Sequence, residues 1–285
     1  MQAYYWLAKP GIIYGNALTA IAGFLLSASV AGSFKPGLLA GLLIGMSLVI
    51  ACGCVINNYI DRDIDARMSR TKKRPSVTGL IPLHNGVAYG VTLGVIGFAV
   101  LGLYTNLLTV GVGALGLFFY LVMYSFWKRR SEWGTVVGSV SGATPIVAGY
   151  TAVSNHFDSG ALILFLIMVS WQMPHFYAIA IYRFDDYKSA GLPVLPIKKS
   201  IAIAKQQILA YIIAFVAACT ALTVFGYTGF VYLLVMLSAG LWWLWMGLQG
   251  RQAIDDRLWA RRLFLRSLII VAVLSVAVAV GGLLP

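Results

Sequence analysis

The segment NNYIDRDIDARMSRTKKRP, residues 57–75, follows a long apolar run and ends at a proline. Within it Asn57, Asp61 and Asp65 recur at every fourth residue. On an α-helix this spacing turns successive side chains by about 40° and moves them about 6 Å along the axis, so the three oxygen-bearing groups share one face. The same segment is rich in cations, namely Arg62, Arg67, Arg70, Lys72, Lys73 and Arg74.

These carboxylates lie where a helix disfavours them. They follow an apolar run of membrane length, at the negative end of the helix dipole, and Asp61 and Asp65 repel each other at i,i+4 spacing. A divalent cation would remove both penalties, and such hard oxygen ligands suit Mg²⁺ that is shared with a substrate phosphate. A solvated helix end in the headgroup region is the alternative. The repeated spacing and the adjoining basic run favour a functional site.

The composition is that of a polytopic membrane protein. Hydrophobic residues make up 60% of the 285 and charged residues 11%, with a mean hydropathy of +0.85; soluble domains carry about 25% charged residues. Counting about 20 apolar residues per span predicts an all-α protein with nine transmembrane helices. These are 11–31, 38–60, 85–104, 107–127, 134–153, 160–181, 206–226, 229–249 and 263–283.

The distribution of charge predicts the orientation. All 21 Lys and Arg residues except Lys35, and all nine acidic residues except Asp158, fall before the first helix or in the connections after the even-numbered helices and their flanks. By the positive-inside rule the N-terminus is expected in the cytoplasm and the C-terminus on the far, periplasmic side. Topology alone accounts for most of these cations. Those of segment 251–266 are interpreted as retention charges, which keep that segment on the cytoplasmic side.

Polar residues also occur inside two predicted helices. Tyr120, Tyr124 and Lys128 follow one another at four-residue steps, a face that could line a site or equally form an interfacial aromatic belt with a snorkelling lysine. Gln172 and His175 flank a proline in an apolar segment. A histidine satisfied by a neighbouring helix is the structural alternative there. Gly134, Gly138 and Gly142 form a small-residue stripe that indicates close helix packing.

A second acidic segment lies on the same predicted side of the membrane. The sequence YRFDDYKSAGLPVLP, residues 182–196, carries Asp185 and Asp186 directly after the helix that contains His175. Two acidic segments on one side, each following a helix with polar residues, predict one shared site between the two halves of the chain.

Four motifs together resemble a known family. N-x-x-x-D-x-x-x-D at 57–65 is similar to the first motif of the UbiA superfamily of intramembrane prenyltransferases. K-P-G at 9–11 with G-N at 15–16, W-Q-x-P-H-F at 171–176 and D-Y-K-x-A-G-x-P-x-L-P at 186–196 resemble the branch of that superfamily that farnesylates haem B. The resemblance covers essentially the whole chain.

The resemblance implies a single domain, residues 1–285, folded as a nine-helix bundle with a central cavity open to lipid. It implies transfer of the farnesyl group of farnesyl diphosphate to a vinyl group of haem B, with addition of water, to give haem O and diphosphate. Mg²⁺ is the implied cofactor, and a bacterial inner membrane the implied location. The implied partners are the lipid bilayer and haem-handling or terminal oxidase assembly proteins, with no nucleic acid.

Site residues are carried over from the same resemblance. Asn57, Asp61 and Asp65 would hold one metal ion, and Asp186 with Asp185 a second. Many superfamily members have D-x-x-x-D in the second segment, whereas here Ser189 and Ala190 stand four residues after the two acids. By the same resemblance, the expected catalytic residues are Asp61, Asp65, Lys128 and Asp186.

The remaining assignments concern the substrates. His175 is the candidate haem-binding residue, either on the iron or near the vinyl group. The residues expected to bind diphosphate are Arg67, Arg70, Arg74, Lys128 and Lys188, with Lys72, Lys73 and Arg183 as helpers. Those expected to line the cavity are Asn16, Tyr120, Tyr124 and Gln172.

Three other functions are compatible with parts of the pattern. A prenyltransferase for another aromatic acceptor, such as a hydroxybenzoate, would keep the acidic motif without needing W-Q-x-P-H-F. A transporter or cation channel would carry ionisable residues at mid-membrane depth, whereas these acids cluster at helix ends. A structural assembly factor would tolerate replacement of Asp61 and Asp65 by alanine, and an enzyme would not.

Overall fold

The computed structural model describes residues 2–283, and nine helices in that range are long and apolar enough to cross a membrane. This confirms the predicted all-α membrane architecture. In chain order the nine are α1 (Pro10–Val30), α2 (Pro36–Ile60), α3 (Leu83–Tyr104), α4 (Leu107–Trp127), α5 (Gly134–Ser154), α6 (Ser159–Tyr182), α7 (Ile201–Val224), α8 (Phe230–Gln249) and α9 (Asp256–Gly281).

Two helices, α7 and α9, begin well before their predicted starts because polar side chains cap them. Ser200 accepts a hydrogen bond from the backbone N–H of Ile203 at 3.1 Å, so α7 starts at Ile201 and not at 206. Asp255 accepts from two backbone N–H groups of the first turn of α9, at 2.8 and 3.0 Å. That cap places the start of α9 at Asp256, seven residues before the predicted 263, because its charged first turns are helical.

Glycines allow the central helices to pack with their backbones in contact. A Cβ on Gly23 of α1 would overlap the carbonyl oxygen of Ile146 of α5, and one on Gly149 would overlap that of Ala20. The α1–α5 pair is therefore locked by small residues on both sides. In the predicted stripe, a Cβ on Gly142 would overlap the Gln172 side chain of α6. The packing interpretation of the stripe is thus confirmed.

One helix departs from α geometry. Residues Phe119–Tyr124 of α4 form a π-helical turn, and this turn carries both Tyr120 and Tyr124. Such turns are rare and concentrate at functional sites. Sequence periodicity could not predict it, because the apolar pattern of α4 continues through the turn.

The connections divide between two ends of the bundle. At one end Tyr150 donates to Asp158 at 2.9 Å, and Ser159 lies 2.8 Å from the hydroxyl of Tyr227. The opposite end, termed the basic end, carries the connections 61–82, 128–133, 183–200 and 250–255. Four short helices lie there: Arg62–Arg67, Pro75–Thr78, Phe184–Ser189 and Leu195–Lys198.

Recesses are present in the described chain. One of about 470 Å³ is lined by apolar residues of α4 and by Phe157. Another of about 270 Å³ is lined by residues including Glu132, Lys199 and Tyr211. Neither is lined by an aspartate of the two acidic segments, so a central cavity open to lipid remains a prediction.

Candidate active site

The first acidic segment straddles the end of α2. Asn57 is buried in the last turn of that helix and Asp65 is buried in the short helix that follows, 4% exposed each. Asp61 stands between the two helices, directly after the predicted end of the span at residue 60. The backbone still bonds from Asp61 N–H to Asn57 O at 3.0 Å and from Asp65 N–H to Asp61 O at 2.8 Å. The backbone hydrogen bonds of an α-helix therefore continue through the three predicted metal ligands.

Asp61 is paired with a buried lysine from the end of α4. The Lys128 ammonium lies 2.5 Å from Asp61 Oδ2, and the two side chains are 8% and 13% exposed. Burial lowers the pKa of Lys128, and the neighbouring Asp61 carboxylate opposes that effect. Lys128 also lies over the ring of Tyr124, 4.7 Å from its centroid. The predicted association of Lys128 with the acidic motif is therefore present in the geometry.

Asp65 is paired within its own connection. Arg74 donates from Nη1 to Asp65 Oδ2 at 2.5 Å, and Thr71 donates to the Asp65 backbone carbonyl at 3.0 Å. These contacts fold the basic run 70–74 back onto the short helix. The predicted diphosphate ligand Arg74 thus lies beside a predicted metal ligand.

Asn57 is approached by a lysine that sequence reasoning assigned only to topology. Lys9 Nζ donates to Asn57 Oδ1 at 3.4 Å, and the hydroxyl of Tyr120 donates to the same oxygen at 3.2 Å. Lys9 has a left-handed backbone (φ 55°), unusual for a residue other than glycine. Burial lowers its pKa to about 8, the charge of Arg74 acting in the same direction. The K-P-G motif was the only signal that could have revealed it.

Asp63 has a different environment from its two neighbours. Its carboxylate is 58% exposed and accepts two hydrogen bonds of 2.8 Å from Arg129. Those bonds hold the pKa of Asp63 at about 2. Arg129 also donates to the Ile60 carbonyl at 2.7 Å and lies 3.7 Å from Asp61. Arg129, which the sequence did not single out, therefore fastens the α4–α5 connection to the end of α2.

The second acidic segment is bonded directly to the first. The Oγ and backbone N–H of Ser69 both donate to Asp186 Oδ1, at 2.6 and 3.1 Å, and these bonds lower the pKa of Asp186. Ser189 donates to the Arg67 carbonyl at 3.2 Å. Beneath these contacts lies a small apolar cluster of both segments, formed by Ile64, Met68, Ala190 and Leu192. The two segments converge, as one shared site requires.

Asp185 is separated from Asp186 by its contacts. It is 69% exposed and forms a two-fold ion pair with Arg257 of α9, at 2.7 and 2.9 Å. Arg257 is therefore more than a retention charge, because it ties the start of α9 to the second acidic segment. The pairing of Asp185 and Asp186 on one metal ion is not what this arrangement favours, since the two carboxylates contact different partners.

The remaining predicted diphosphate-binding residues and two of the predicted cavity residues lie in different surroundings. Arg67, Arg70 and Lys188 are exposed at the basic end, and Arg70 is close enough to Asp186 to contribute to the lowering of its pKa. Tyr120 and Tyr124 stack with nearly parallel rings 6.1 Å apart and are half-buried.

Two predicted cavity residues make contacts of another kind. Asn16 is half-buried and donates to the Ile12 carbonyl of its own helix at 2.8 Å. Gln172 is 3% exposed, and its amide donates to the backbone carbonyls of Ser139 and Met168 at 3.0 Å each. That Gln172 lines the cavity stays a prediction. Its amide satisfies backbone carbonyls in the α5–α6 interface.

His175 lies on the face of α6 that packs against α9. Its Nδ1 is 2.7 Å from the hydroxyl oxygen of Ser267, a contact that sequence reasoning missed because no local motif marks Ser267. The imidazole stacks on Trp171 at 4.9 Å between centroids and contacts Phe264 at 5.0 Å. It is half-buried and lies within the membrane-length helix α6.

The first acidic segment has the donors that a magnesium ion requires. Buried there are carboxylate and amide oxygens, and Asp61 Oδ1 is buried without a hydrogen-bond partner. No group of three or more Asp, Glu, His or Cys side chains close enough to hold a metal occurs among residues 2–283. The residues therefore fit Mg²⁺ that takes further ligands from substrate phosphate and water, its usual mode of binding.

Comparison with known proteins identifies the family to which the chain belongs. The model of the UbiA prenyltransferase family matches residues 16–269, so the chain belongs to that family. It is 52% identical over 286 residues to the Protoheme IX farnesyltransferase 2 of Chromobacterium violaceum, covering 100% of this chain and 94% of that protein. Identity to the protein of the same name from Pseudomonas paraeruginosa is 50% over 281 residues, covering 98% and 94%.

Solved structures share the fold. A digeranylgeranylglyceryl phosphate synthase superimposes with a TM-score of 0.80 at 18% identity, covering 99% of this chain and 98% of that one. A UbiA homologue from Archaeoglobus fulgidus bound to GPP and Mg²⁺ gives 0.69 at 16% identity, covering 97% and 99%.

Proposed function

We propose that this chain transfers the farnesyl group of farnesyl diphosphate to a vinyl group of haem B, with addition of water, yielding haem O and diphosphate. The observation that carries the choice of substrates is the identity of about half of all residues to proteins named protoheme IX farnesyltransferase, over nearly the whole chain. The Archaeoglobus homologue bound to GPP and Mg²⁺ supports an allylic diphosphate with magnesium.

The geometry of the basic end supports the diphosphate half of the reaction. Breaking the allylic C–O bond leaves both electrons on the diphosphate, whose growing charge must be neutralised. Each of the three predicted metal ligands has a cation beside it, and these cations supply positive charge to neutralise the diphosphate: Lys128, Arg74 and Lys9. Exposed Arg67, Arg70 and Lys188 lie at the same end. Two Mg²⁺ ions, one held by Asn57, Asp61 and Asp65 and a second held by Asp186, would act as Lewis acids on the phosphate oxygens.

The apolar bundle suits the second half of the reaction. The farnesyl cation must meet the vinyl carbon before water does, and aromatic and aliphatic walls exclude water. The vinyl π electrons form the new C–C bond, which leaves a cation on the carbon next to the pyrrole. A water oxygen then bonds to that carbon and loses a proton, so that atoms and charge balance.

We further propose that the basic end faces the cytoplasm of a bacterium and that the protein lies in the inner membrane, N-terminus inside and C-terminus periplasmic. The support is the positive-inside rule applied to all Lys and Arg except Lys35. Proteins that handle haem or assemble terminal oxidases are the expected partners. A single domain, residues 1–285, accommodates the reaction.

The experiment is a choice between acceptors. Purified protein is incubated with farnesyl diphosphate and Mg²⁺ together with either haem B or a hydroxybenzoate, and the products are weighed by mass spectrometry. Haem B whose mass has risen by one farnesyl group and one hydroxyl group supports the proposal. A prenylated benzoate with unaltered haem would assign the enzyme to the other acceptor, and no product from folded protein would overturn the transfer itself.

A further inference from the structure

One residue of α9 holds two aromatic side chains of α6. Trp171 donates from Nε1 to the backbone carbonyl of Ser267 at 2.9 Å, and His175 Nδ1 lies 2.7 Å from the hydroxyl of the same serine. Ser267 is fully buried. The serine therefore fixes the relative positions of the tryptophan and the histidine, one helical turn apart in the W-Q-x-P-H-F motif.

The direction of the histidine hydrogen bond follows from the other bond that Ser267 makes. Its hydroxyl donates to the Phe264 carbonyl at 2.6 Å, and a hydroxyl has only one proton to give. The serine oxygen must then accept from His175, so the proton is on Nδ1. In a neutral imidazole the lone pair is consequently on Nε2.

This is the form of histidine that binds a metal. Metal-binding histidines donate their other ring N–H to a fixed acceptor, which sets the tautomer, orients the ring and raises the basicity of the coordinating nitrogen. The aromatic groups around this ring, Trp171, Phe264 and Phe176, have centroids within 5.3 Å of the imidazole centroid. Aromatic surfaces next to a free imidazole nitrogen suit a porphyrin whose iron takes an axial histidine.

We propose that Ser267 is a positioning residue that fixes His175 as the Nδ1–H tautomer, with Nε2 as axial ligand to the iron of the porphyrin acceptor. This inference rests on the proposed function, which supplies the haem acceptor. Ser267 acts through His175 and itself contacts no substrate. The inference also gives the tryptophan of the motif a role, because Trp171 anchors the same serine and stacks on the same imidazole.

The test uses haem binding in the absence of farnesyl diphosphate, so that turnover does not enter. Purified wild-type protein is titrated with haem B, reduced, and its iron–histidine stretch recorded by resonance Raman spectroscopy. Ser267→Ala is expected to shift that band to lower frequency or abolish it, and to weaken haem binding by about tenfold or more. Ser267→Thr keeps the hydroxyl and should retain the band, and His175→Ala should lose it.

A second serine of the same helix provides the matched control. Ser275 is also buried and donates to the Val271 carbonyl one turn earlier at 2.8 Å. Ser275→Ala removes the same hydroxyl from the same helix and should leave both the band and the affinity unchanged. If Ser267→Ala behaves like Ser275→Ala while His175→Ala loses the band, Ser267 has no positioning role.

The outcomes separate this inference from the proposed function. Haem O formation by wild-type protein that shows no iron–histidine band would overturn the axial ligand and leave the transferase intact. A band that depends on Ser267, without farnesyl transfer in the acceptor assay, would support the ligand and overturn the transferase.

Discussion

Ser69 and Asp186 are 117 positions apart in the chain, yet both hydrogen-bond donors of the serine meet one oxygen of the aspartate. The contact joins the two acidic segments at the basic end. Asp186 Oδ2 is 3.8 Å from Arg183, a separation too long for a hydrogen bond. Ser69 therefore holds the aspartate in place by Oδ1 alone, which leaves Oδ2 for a ligand.

This relationship gives the first prediction. Ser69→Ala removes the hydroxyl donor and keeps the backbone donor, so Asp186 remains in place with one bond fewer. The loss of one hydrogen bond costs about 0.5–1.5 kcal/mol, which weakens farnesyl diphosphate binding by about two- to tenfold. Ser69→Thr, which retains the hydroxyl, serves as the control. Equal binding by wild type and Ser69→Ala, measured by calorimetry, would show that this bond does not position Asp186.

The three aspartates of D-R-D-I-D should differ sharply in importance. Asp61 is half-buried and Asp65 is buried, each against a cation, and we expect their replacement by Asn to lower the transfer rate by about 100-fold or more. Asp63 is exposed on the Arg129 side, where a surface ion pair contributes about 0–1 kcal/mol. Asp63→Asn should therefore retain activity within about fivefold of wild type. Equal losses of transfer activity in the three variants would contradict the assignment of Asp61 and Asp65, but not Asp63, to the active site.

The Lys128–Asp61 ion pair is expected to be needed both for stability and for activity. Lys128→Met leaves a nearly buried carboxylate without its closest partner, and breaking a buried pair costs about 3–5 kcal/mol, reduced here by Arg129 nearby. The double variant Lys128→Met, Asp61→Asn removes both charges. It should recover most of the thermal stability without recovering activity. Recovered farnesyl transfer in the double variant would mean that the pair has only a structural role.

Close packing of α1 against α5 predicts a specific destabilisation. A Cβ on Gly149 would overlap the Ala20 carbonyl oxygen, and such overpacking costs about 1–3 kcal/mol. Gly149→Ala should lower the thermal midpoint in detergent. A Cβ on Gly111 of α4 would have no neighbouring atom within 4 Å, so Gly111→Ala is the matched control and should not destabilise. Equal midpoints for the two variants would remove the basis for a backbone-contact interface.

The sequence predicted the architecture better than the details of the site. Apolar runs and charge asymmetry were sufficient for nine spans, because a bilayer imposes length and polarity on every helix that crosses it. The starts of α7 and α9 were misplaced because Lys205 and Arg257 read as connection residues, although polar caps at Ser200 and Asp255 extend the helices to include them.

The site contacts that were missed are those made across the bundle. Nothing in the local pattern of Ser69 or Ser267 distinguishes them from other serines, and their partners lie 117 and 92 positions away in the chain. Lys9 and Arg129 were counted as topological charge for the same reason. The backbone contact of Gln172 was missed as well, because a buried amide can satisfy a backbone carbonyl or line a cavity, and only the packing of α5 on α6 reveals the contact with Ser139.

The central claim is that both acidic segments act on one diphosphate, and a double-mutant cycle measures this directly. Binding of an unreactive farnesyl thiodiphosphate with Mg²⁺ is determined for wild type, Asp61→Asn, Asp186→Asn and the double variant. A shared site predicts that the two effects are non-additive, with a coupling free energy of about 1 kcal/mol or more. Additivity within about 0.5 kcal/mol, or binding that neither substitution changes, would contradict it.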